Sequence, residues 1–562
     1  MLTFASALGH LGDGWIGGCC DPEQSAWFLA WTPYAMAHGL NPLLTDHLNY
    51  PSGVNLMWNS AMHLPALLSA PLQATVGAVA AYNVMLMAAV ALSAWAAYLA
   101  ARRFTTGHVA PLACGVLYGF SPYMLSQAIQ HLPLVICVVP PLVLLVLEEM
   151  ARRQTWSPYR AGAALGALAA AQLLIDEEVL ASMVLVGAIG IGVAAVQWRR
   201  QLRAQLPYFA RALGFSLVVF ALLAAWPLAT QFLGPERVTG QLQAKDIFVT
   251  DLLNLVVPTR FQLLVPPGSR TISAMFTGLV HEQDGYLGLP LLSLLVFVAI
   301  TRRRHPVTRL FAVLAGITTL LSMGPHLHVA GTVTSVPLPW LPLGQLPVVG
   351  NILPGRLMLY TFLFAGIAVV QWPVARAAEV GGRRAVPAFV IVFLALVPLA
   401  PLWPFPAWDG LNPAYFAAGA PGMADGAVVM IAPFIRDGGN ADPMLWAAET
   451  GDRIRMPQGY FFIPGPDGTA FYGALPSPLV SFMEDIQENP RLVDYEGPAR
   501  KAIVDDLVAR RVDTIAVGPM SSEDVMVHDL TLLLRRQPDQ HVGDVFIWRN
   551  VLQHGVPLAP PS

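Results

Sequence analysis

Asp21 and Glu23 flank Pro22 at i and i+2, shortly after Gly17-Gly18. Two carboxylates so spaced can move protons, hold a hard cation or close the start of a helix. The glycines let the backbone turn tightly ahead of them, and Pro22 suits a helix start. A plainer role competes and can coexist with a chemical one: Asp21 as N-cap of an amphipathic helix over Glu23–His38. A second acidic knot, Asp176-Glu177-Glu178, joins two apolar stretches with no counter-charge beside it. A solvated turn explains one such acid; three point to a polar cavity or a metal. His131 follows Gln127 and Gln130, and His281-Glu282-Gln283-Asp284 forms a third polar run. Either histidine alone reads more simply as a surface or capping residue. Arg356 follows Pro354-Gly355 at the mouth of an apolar stretch, and Arg260 follows Val256-Val257-Pro258-Thr259. A guanidinium fork suits a phosphate, against plain snorkelling at an interface. Oxygen-rich acids favour Mg, Mn or Ca over zinc, with Asp21 and Glu178 as the candidate ligands, and no other cofactor is implied.

These groups need a scaffold, and composition says which. The 562 residues are 55% hydrophobic and 12% charged, with mean hydropathy +0.55. Soluble domains carry about 25% charged residues, so the chain belongs in a membrane. A net charge of −3 gives no reason to expect a nucleic-acid partner. The four cysteines are too few for a disulfide framework, and a bridge between the neighbours Cys19 and Cys20 is disfavoured. The run Ile16-Gly17-Gly18-Cys19 lacks the flanks of a lipoprotein signal.

No Lys or Arg occurs in residues 1–100, and arginine clusters at 102, 152, 199, 302 and 383 then follow every second apolar stretch. That alternation places the clusters in the cytoplasm and residues 1–79, 176–178, 234–285, 325–355 and 405–562 outside. The spans read as Ala80–Ala101, Val109–Gln127, Leu132–Met150, Ala161–Ile175, Val179–Trp198, Ala212–Leu233, Tyr286–Ile300, Leu310–Gly324, Leu357–Ala375 and Val386–Pro404, about ten in all. Ala61–Val79, interrupted by Pro65 and Pro71, reads as a re-entrant or interfacial segment. The expected organisation is a first external loop with juxtamembrane helices (1–79), a transmembrane domain (80–404) with external loops 234–285 and 325–355, and a small extracytoplasmic α/β domain (405–562). Strand-length runs in the last part are Ala427–Ala432, Thr514–Val517 and Val545–Trp548, with a helical pattern at Pro498–Arg511. It carries neither a glycine-rich phosphate loop nor a nucleophile elbow.

With these residues assembled, the chain resembles bacterial membrane glycosyltransferases of the GT-C fold, and among them actinobacterial ones with an external tail. The resemblance covers roughly residues 13–404. It rests on a GDPxQ-like stretch at Gly18–Gln24 with two cysteines inserted, on Pro354-Gly355-Arg356, and on an HExxxYLG-like stretch at His281–Gly288. It implies a mainly α polytopic protein that uses a polyprenyl-phosphate sugar and inverts the anomeric carbon. Asp21 would be the general base with Glu23 beside it, and Arg356, then Arg260, would hold the donor phosphate. His131, Asp176, Glu177, Glu178, His281 and Glu282 would line the substrate cavity. The acceptor would be an envelope glycan, lipid or protein. Such enzymes usually begin with a span that carries the chain outward, so one is expected upstream of Met1 unless export proceeds without it. A lipid or polysaccharide transporter or flippase would need broken mid-membrane helices and an inverted repeat, neither visible in the sequence. A non-catalytic envelope-assembly scaffold is the remaining alternative.

Overall fold

The computed structural model describes residues 2–435, 440–491 and 496–552. The protein is mainly α, and the stretches expected to span are largely helical, some of them, such as Leu132–Met150, divided between successive helices. Seven helices among the described residues are long and apolar enough to cross a membrane: His63–Ala101, Val109–Gln127, Leu132–Arg153, Glu177–Gln197, Arg203–Leu233, Pro354–Val380 and Gly382–Leu399. Gly288–Thr301 and Pro306–Ser322 are apolar but shorter. At 1.5 Å per residue, Gly288–Thr301 is only about 21 Å long, against the roughly 30 Å of a bilayer core.

The stretch expected to be re-entrant or interfacial, Ala61–Val79, is helical from His63 and continues to Ala101, with a break at Gly77 (φ 82°, ψ 172°) rather than at a proline. Pro65 falls in the first turn, where a missing N–H costs nothing. Glycine alone takes the Gly77 conformation without strain.

The described chain folds as two compact units. The first comprises Met1–Gly9, Val84–Ala225 and Gln241–Pro406. At its centre Met358–Val369, buried along its whole length, packs on Pro306–Ser322 and Val109–Gly119. Gly366 permits the close approach: a Cβ there would meet Cys114 Sγ at 2.9 Å. Side-chain caps fix where helices begin. Ser157 accepts from Arg160 N–H ahead of Pro158–Leu173, and Asp176 from Val179 N–H ahead of Glu177–Gln197.

The second unit comprises His10–Asn83, Trp226–Gly240 and Ala407–Ser562. Its four-stranded sheet runs Gln540–Val542, Val545–Trp548, Thr514–Val517, Val429–Ala432 in spatial order, the last two parallel and the others antiparallel. Helices Pro478–Glu488, Gly497–Ala509 and Glu523–Leu534 share a core with it, built on Met430, Ile515, Leu507, Leu530 and Trp548. Residues of the first loop fold into this same unit. Trp15–Ile16 pairs antiparallel with Ala407–Trp408, Tyr50 N–H donates to Met456 O at 3.0 Å, and helix Asp21–Ala37 packs on Asp442–Glu449. That packing buries Glu23, Trp27, Phe28, Leu29, Trp31 and Thr32, on several faces of the helix, so the expected amphipathic helix is an enclosed one.

Candidate functional site

In the first unit, three short structures bring charge together. Arg356 lies in the turn Pro354–Leu357, Glu178 in the first turn of Glu177–Gln197, and Glu282 ends the turn Val280–Glu282. Arg356 Nη1 donates to Glu178 Oε2, Nη2 to Glu282 Oε1 at 2.5 Å and Nε to Glu282 Oε2 at 3.2 Å. Leu353 N–H takes the other Glu178 oxygen at 2.8 Å. The fork expected to await a phosphate is therefore already filled, because a buried cation must be compensated where water is scarce.

Gln127, fully buried at the end of helix Pro122–Gln127, ties the cluster to its neighbours. Its Nε2 donates to Glu282 Oε2 at 3.0 Å and Asp284 Oδ2 at 3.2 Å, while its Oε1 lies 2.6 Å from His131 Nδ1. Two carboxylate partners fix the amide nitrogen, so the amide oxygen faces the imidazole and Nδ1 carries the proton. Glu282 Oε1 is also 3.5 Å from that nitrogen, and the His131 and His281 rings meet edge to face at 5.0 Å.

The two acids of this run titrate in opposite directions. Burial alone would raise Glu282, but the Arg356 charge and then His131 outweigh it and hold the carboxyl at about 2. Burial, reinforced by the Glu282 charge, pushes Asp284 well up, and its buried Oδ1 has no hydrogen-bond partner. One carboxyl is held in its ionised form while burial works against ionisation of its neighbour.

The acidic knot resolves into separate tasks. Asp176 caps its helix through Val179 N–H at 2.7 Å, Glu178 pairs with Arg356, and Glu177 is half-buried at the first helical position. A metal on Asp21 and Glu178 does not fit: both Glu178 oxygens are engaged, and no group of three or more His, Cys, Asp or Glu among the described residues could hold an ion. Arg260 is exposed, its guanidinium 5.3 Å from the Phe261 ring centre.

In the second unit, Asp21 is not the N-cap. Cys20 is (φ 89°), and the helix begins at Asp21. Glu23 reaches back to accept from Cys20 N–H at 2.7 Å, the carboxylate half of a capping box. Glu23 is 1% exposed and its Oε1 has no hydrogen-bond partner. Burial, then the charge of Asp442, lifts its carboxyl to about 8; burial likewise lifts Asp442 to about 6. Asp21 is half-buried at the helix start. Cys19 and Cys20 are joined in a disulfide, against the expectation for neighbours.

Sequence reasoning left Gln127, Asp284 and Asp442 out of the site. Asp284 lay within the HEQD run and Gln127 four residues before His131, so spacing alone could have flagged both. Nothing in the sequence links Asp442 to Glu23.

The model of the family described as a domain of unknown function (DUF6311) matches residues 2–397. No curated protein matches the sequence. Among solved structures, the chain is similar to arabinofuranosyltransferase AftD from Mycobacteria, at 16% identity and TM-score 0.48, over 92% of this chain and 35% of that one. This chain thus spans about a third of AftD. It is similar to ArnT from Cupriavidus metallidurans bound to undecaprenyl phosphate, at 11% identity and TM-score 0.45, over 100% of this chain and 97% of that one. It is also similar to the oligosaccharyltransferase AglB from Archaeoglobus fulgidus in complex with an inhibitory peptide and a dolichol-phosphate. There the identity is 12% and the TM-score 0.38, over 90% of this chain and 66% of that one.

Proposed function

The chain belongs to the DUF6311 family, and on that premise we propose that it is a membrane glycosyltransferase with Asp21 as general base. The donor is a polyprenyl-phosphate sugar, the acceptor an envelope glycan, lipid or protein hydroxyl on the outer face, and the anomeric carbon inverts. Support comes from the GDPxQ-like, Pro-Gly-Arg and HExxxYLG-like stretches and from the division of labour in the Asp-Pro-Glu turn.

That division is the observation that carries the reading. Glu23 is buried, spent on the Cys20 N–H and lifted to about 8, so most of it is protonated at neutral pH and no acceptor reaches it. Asp21 stays half-buried at the head of the same helix. In the proposed reaction Asp21 takes the acceptor hydroxyl proton as the oxygen attacks the anomeric carbon, and polyprenyl phosphate leaves. Arg356 keeps the phosphate role in this reading, with one exchange. Glu282 grips it through two nitrogens and Glu178 through one, so the departing phosphate competes for the Glu178 arm.

The test incubates purified protein with a panel of polyprenyl-phosphate sugars and an acceptor, measuring polyprenyl phosphate release. Asp21→Asn should lose about 10²–10⁴ of the rate with folding intact, the usual worth of a general base. Near-normal release by Asp21→Asn would end the assignment.

A further inference from the structure

Within the first unit, a cavity of about 390 Å³ opens between helices Val139–Glu148, Glu177–Gln197, Pro306–Ser322 and Met358–Val369. Its walls are apolar, with Val143, Met183, Leu314 and Phe364 among them. Tyr360 lies in the wall, but its hydroxyl is engaged by Ser182 at 2.9 Å, so it offers hydrocarbon to the cavity. That volume falls in the range of small-ligand pockets, about 300–1,000 Å³. Polar residues collect in one part of the lining: Glu148, Arg152 and Gln205.

Two features of that polar part bear on what enters. The first is charge. Arg103 is engaged by Glu148 at 4.0 Å and Glu149 at 3.8 Å, whereas Arg152 is half exposed and, among the described residues, pairs with Glu148 alone, at 3.8 Å. Trp198 lines the cavity, and the exposed Arg199, Arg200 and Arg203 follow it in the chain, so arginines outnumber the two glutamates. The second is aromatic. Trp156, stacked under Arg160 at 5.0 Å and receiving the Tyr208 hydroxyl on its carbonyl, sits close to Arg152 in sequence, as does Trp198 to Arg199. Tryptophan and tyrosine beside arginine mark the headgroup level of a bilayer.

The groove is also kept open by residues that cost the helix stability. Gly187 and Gly190 lie inside a span and line the cavity. An interior helical glycine costs about 0.5–1 kcal/mol against alanine. A Cβ at Gly187 would meet nothing within 4 Å, and one at Gly190 only Leu314 Cδ1 at 3.8 Å, so neither glycine serves close helix packing. Their missing side chains are space.

We propose that this cavity holds one acyl chain of an anionic glycerophospholipid whose phosphate rests on Arg152 at the mouth. A zwitterionic lipid would bring its own cation to a surface already rich in arginine, so the charge balance selects the anionic headgroup. The proposal stands apart from the glycosyl-transfer reading and survives its failure.

Native mass spectrometry of the full chain in detergent, with phosphatidylglycerol or phosphatidylcholine added, tests it. Phosphatidylglycerol should be retained at least about tenfold better, the worth of one charge-assisted contact. Arg152→Gln, at a half-exposed position, should remove most of that preference. Gly187→Leu, at a position where a Cβ meets nothing within 4 Å, takes up space in the cavity and should abolish retention of the tightly held lipid. Equal retention of both lipids, unchanged phosphatidylglycerol binding by Gly187→Leu, or displacement of phosphatidylglycerol by stoichiometric polyprenyl phosphate would each overturn it.

Discussion

Glu23→Gln should flatten the fall in stability of the second unit as pH rises above 6. The Glu23 carboxyl moves from an ordinary 4.5 in the unfolded chain to about 8 when folded. A group whose folded value is raised gives stability that is complete below the unfolded value and lost as pH climbs through the folded one. At 1.36 kcal/mol per unit, that shift amounts to about 5 kcal/mol as an upper bound across the window. Asp442 titrates at about 6, so its own loss is nearly spent where that of Glu23 is still growing. Glutamine can still accept from Cys20 N–H, though its amide replaces an oxygen that has no partner. Any resulting offset is independent of pH, so the slope carries the test. Thermal unfolding read from Trp27 and Trp31, buried on this helix and stacked at 5.3 Å, would follow the relevant structure. Parallel melting curves for wild type and Glu23→Gln between pH 6 and 8.5 would refute the reasoning.

In the first unit, Glu282→Gln should destabilise more than Glu178→Gln. Glu282 is 4% exposed and grips Arg356 twice, and losing one side of a buried pair costs about 3–5 kcal/mol. Glu178, at 18% exposure with a single arm on Arg356, should cost less; melting in detergent that gives the reverse order would refute this. Arg356→Lys keeps the charge but not the fork, so it should slow polyprenyl phosphate release more than it lowers the melting temperature; a purely thermal effect would deny the phosphate role. Single cysteines at Arg303 and Glu523 should label from opposite sides of the membrane, with Glu523 outside. The buried native Cys114 and Cys137 keep the background low, and labelling both from one side would overturn the topology.

The helices were legible because apolar composition over a span's length has few other solutions. The sheet strands were legible because short apolar runs between polar turns do too. What the sequence hid was convergence. Arg356 read as an unfilled fork because nothing in Pro354-Gly355-Arg356 reveals that carboxylates at 178 and 282 return to it. The Asp-Pro-Glu spacing was visible, but which acid caps the helix depends on where the helix begins. A start two residues earlier than expected, at Asp21 rather than Glu23 and with Cys20 as N-cap, hands the capping task to Glu23. Amphipathicity failed for a related reason: the partner that covers the outer face of Asp21–Ala37 arrives with residues 442–449.

The three buried carboxyls show why the base assignment narrows. A general base must be ionised, must have appreciable proton affinity and must reach the substrate. Glu282 is ionised, but at about 2 it binds a proton too weakly, and its oxygens are committed to Arg356 and Gln127. Asp284 is raised by burial beside the Glu282 charge, and its Oδ2 is taken by Gln127. Glu23 would have proton affinity to spare at about 8, but it already carries its proton at neutral pH and lies fully enclosed. Each is stabilised by a different device: a cation, an amide, a helix cap. Each of these devices counts against its carboxyl as the base of this reaction. Asp21 and Glu177 both stand half-buried at a helix head without being the cap, and of the two it is Asp21 that lies in the GDPxQ-like stretch, so the chemistry of the proposed reaction falls to it.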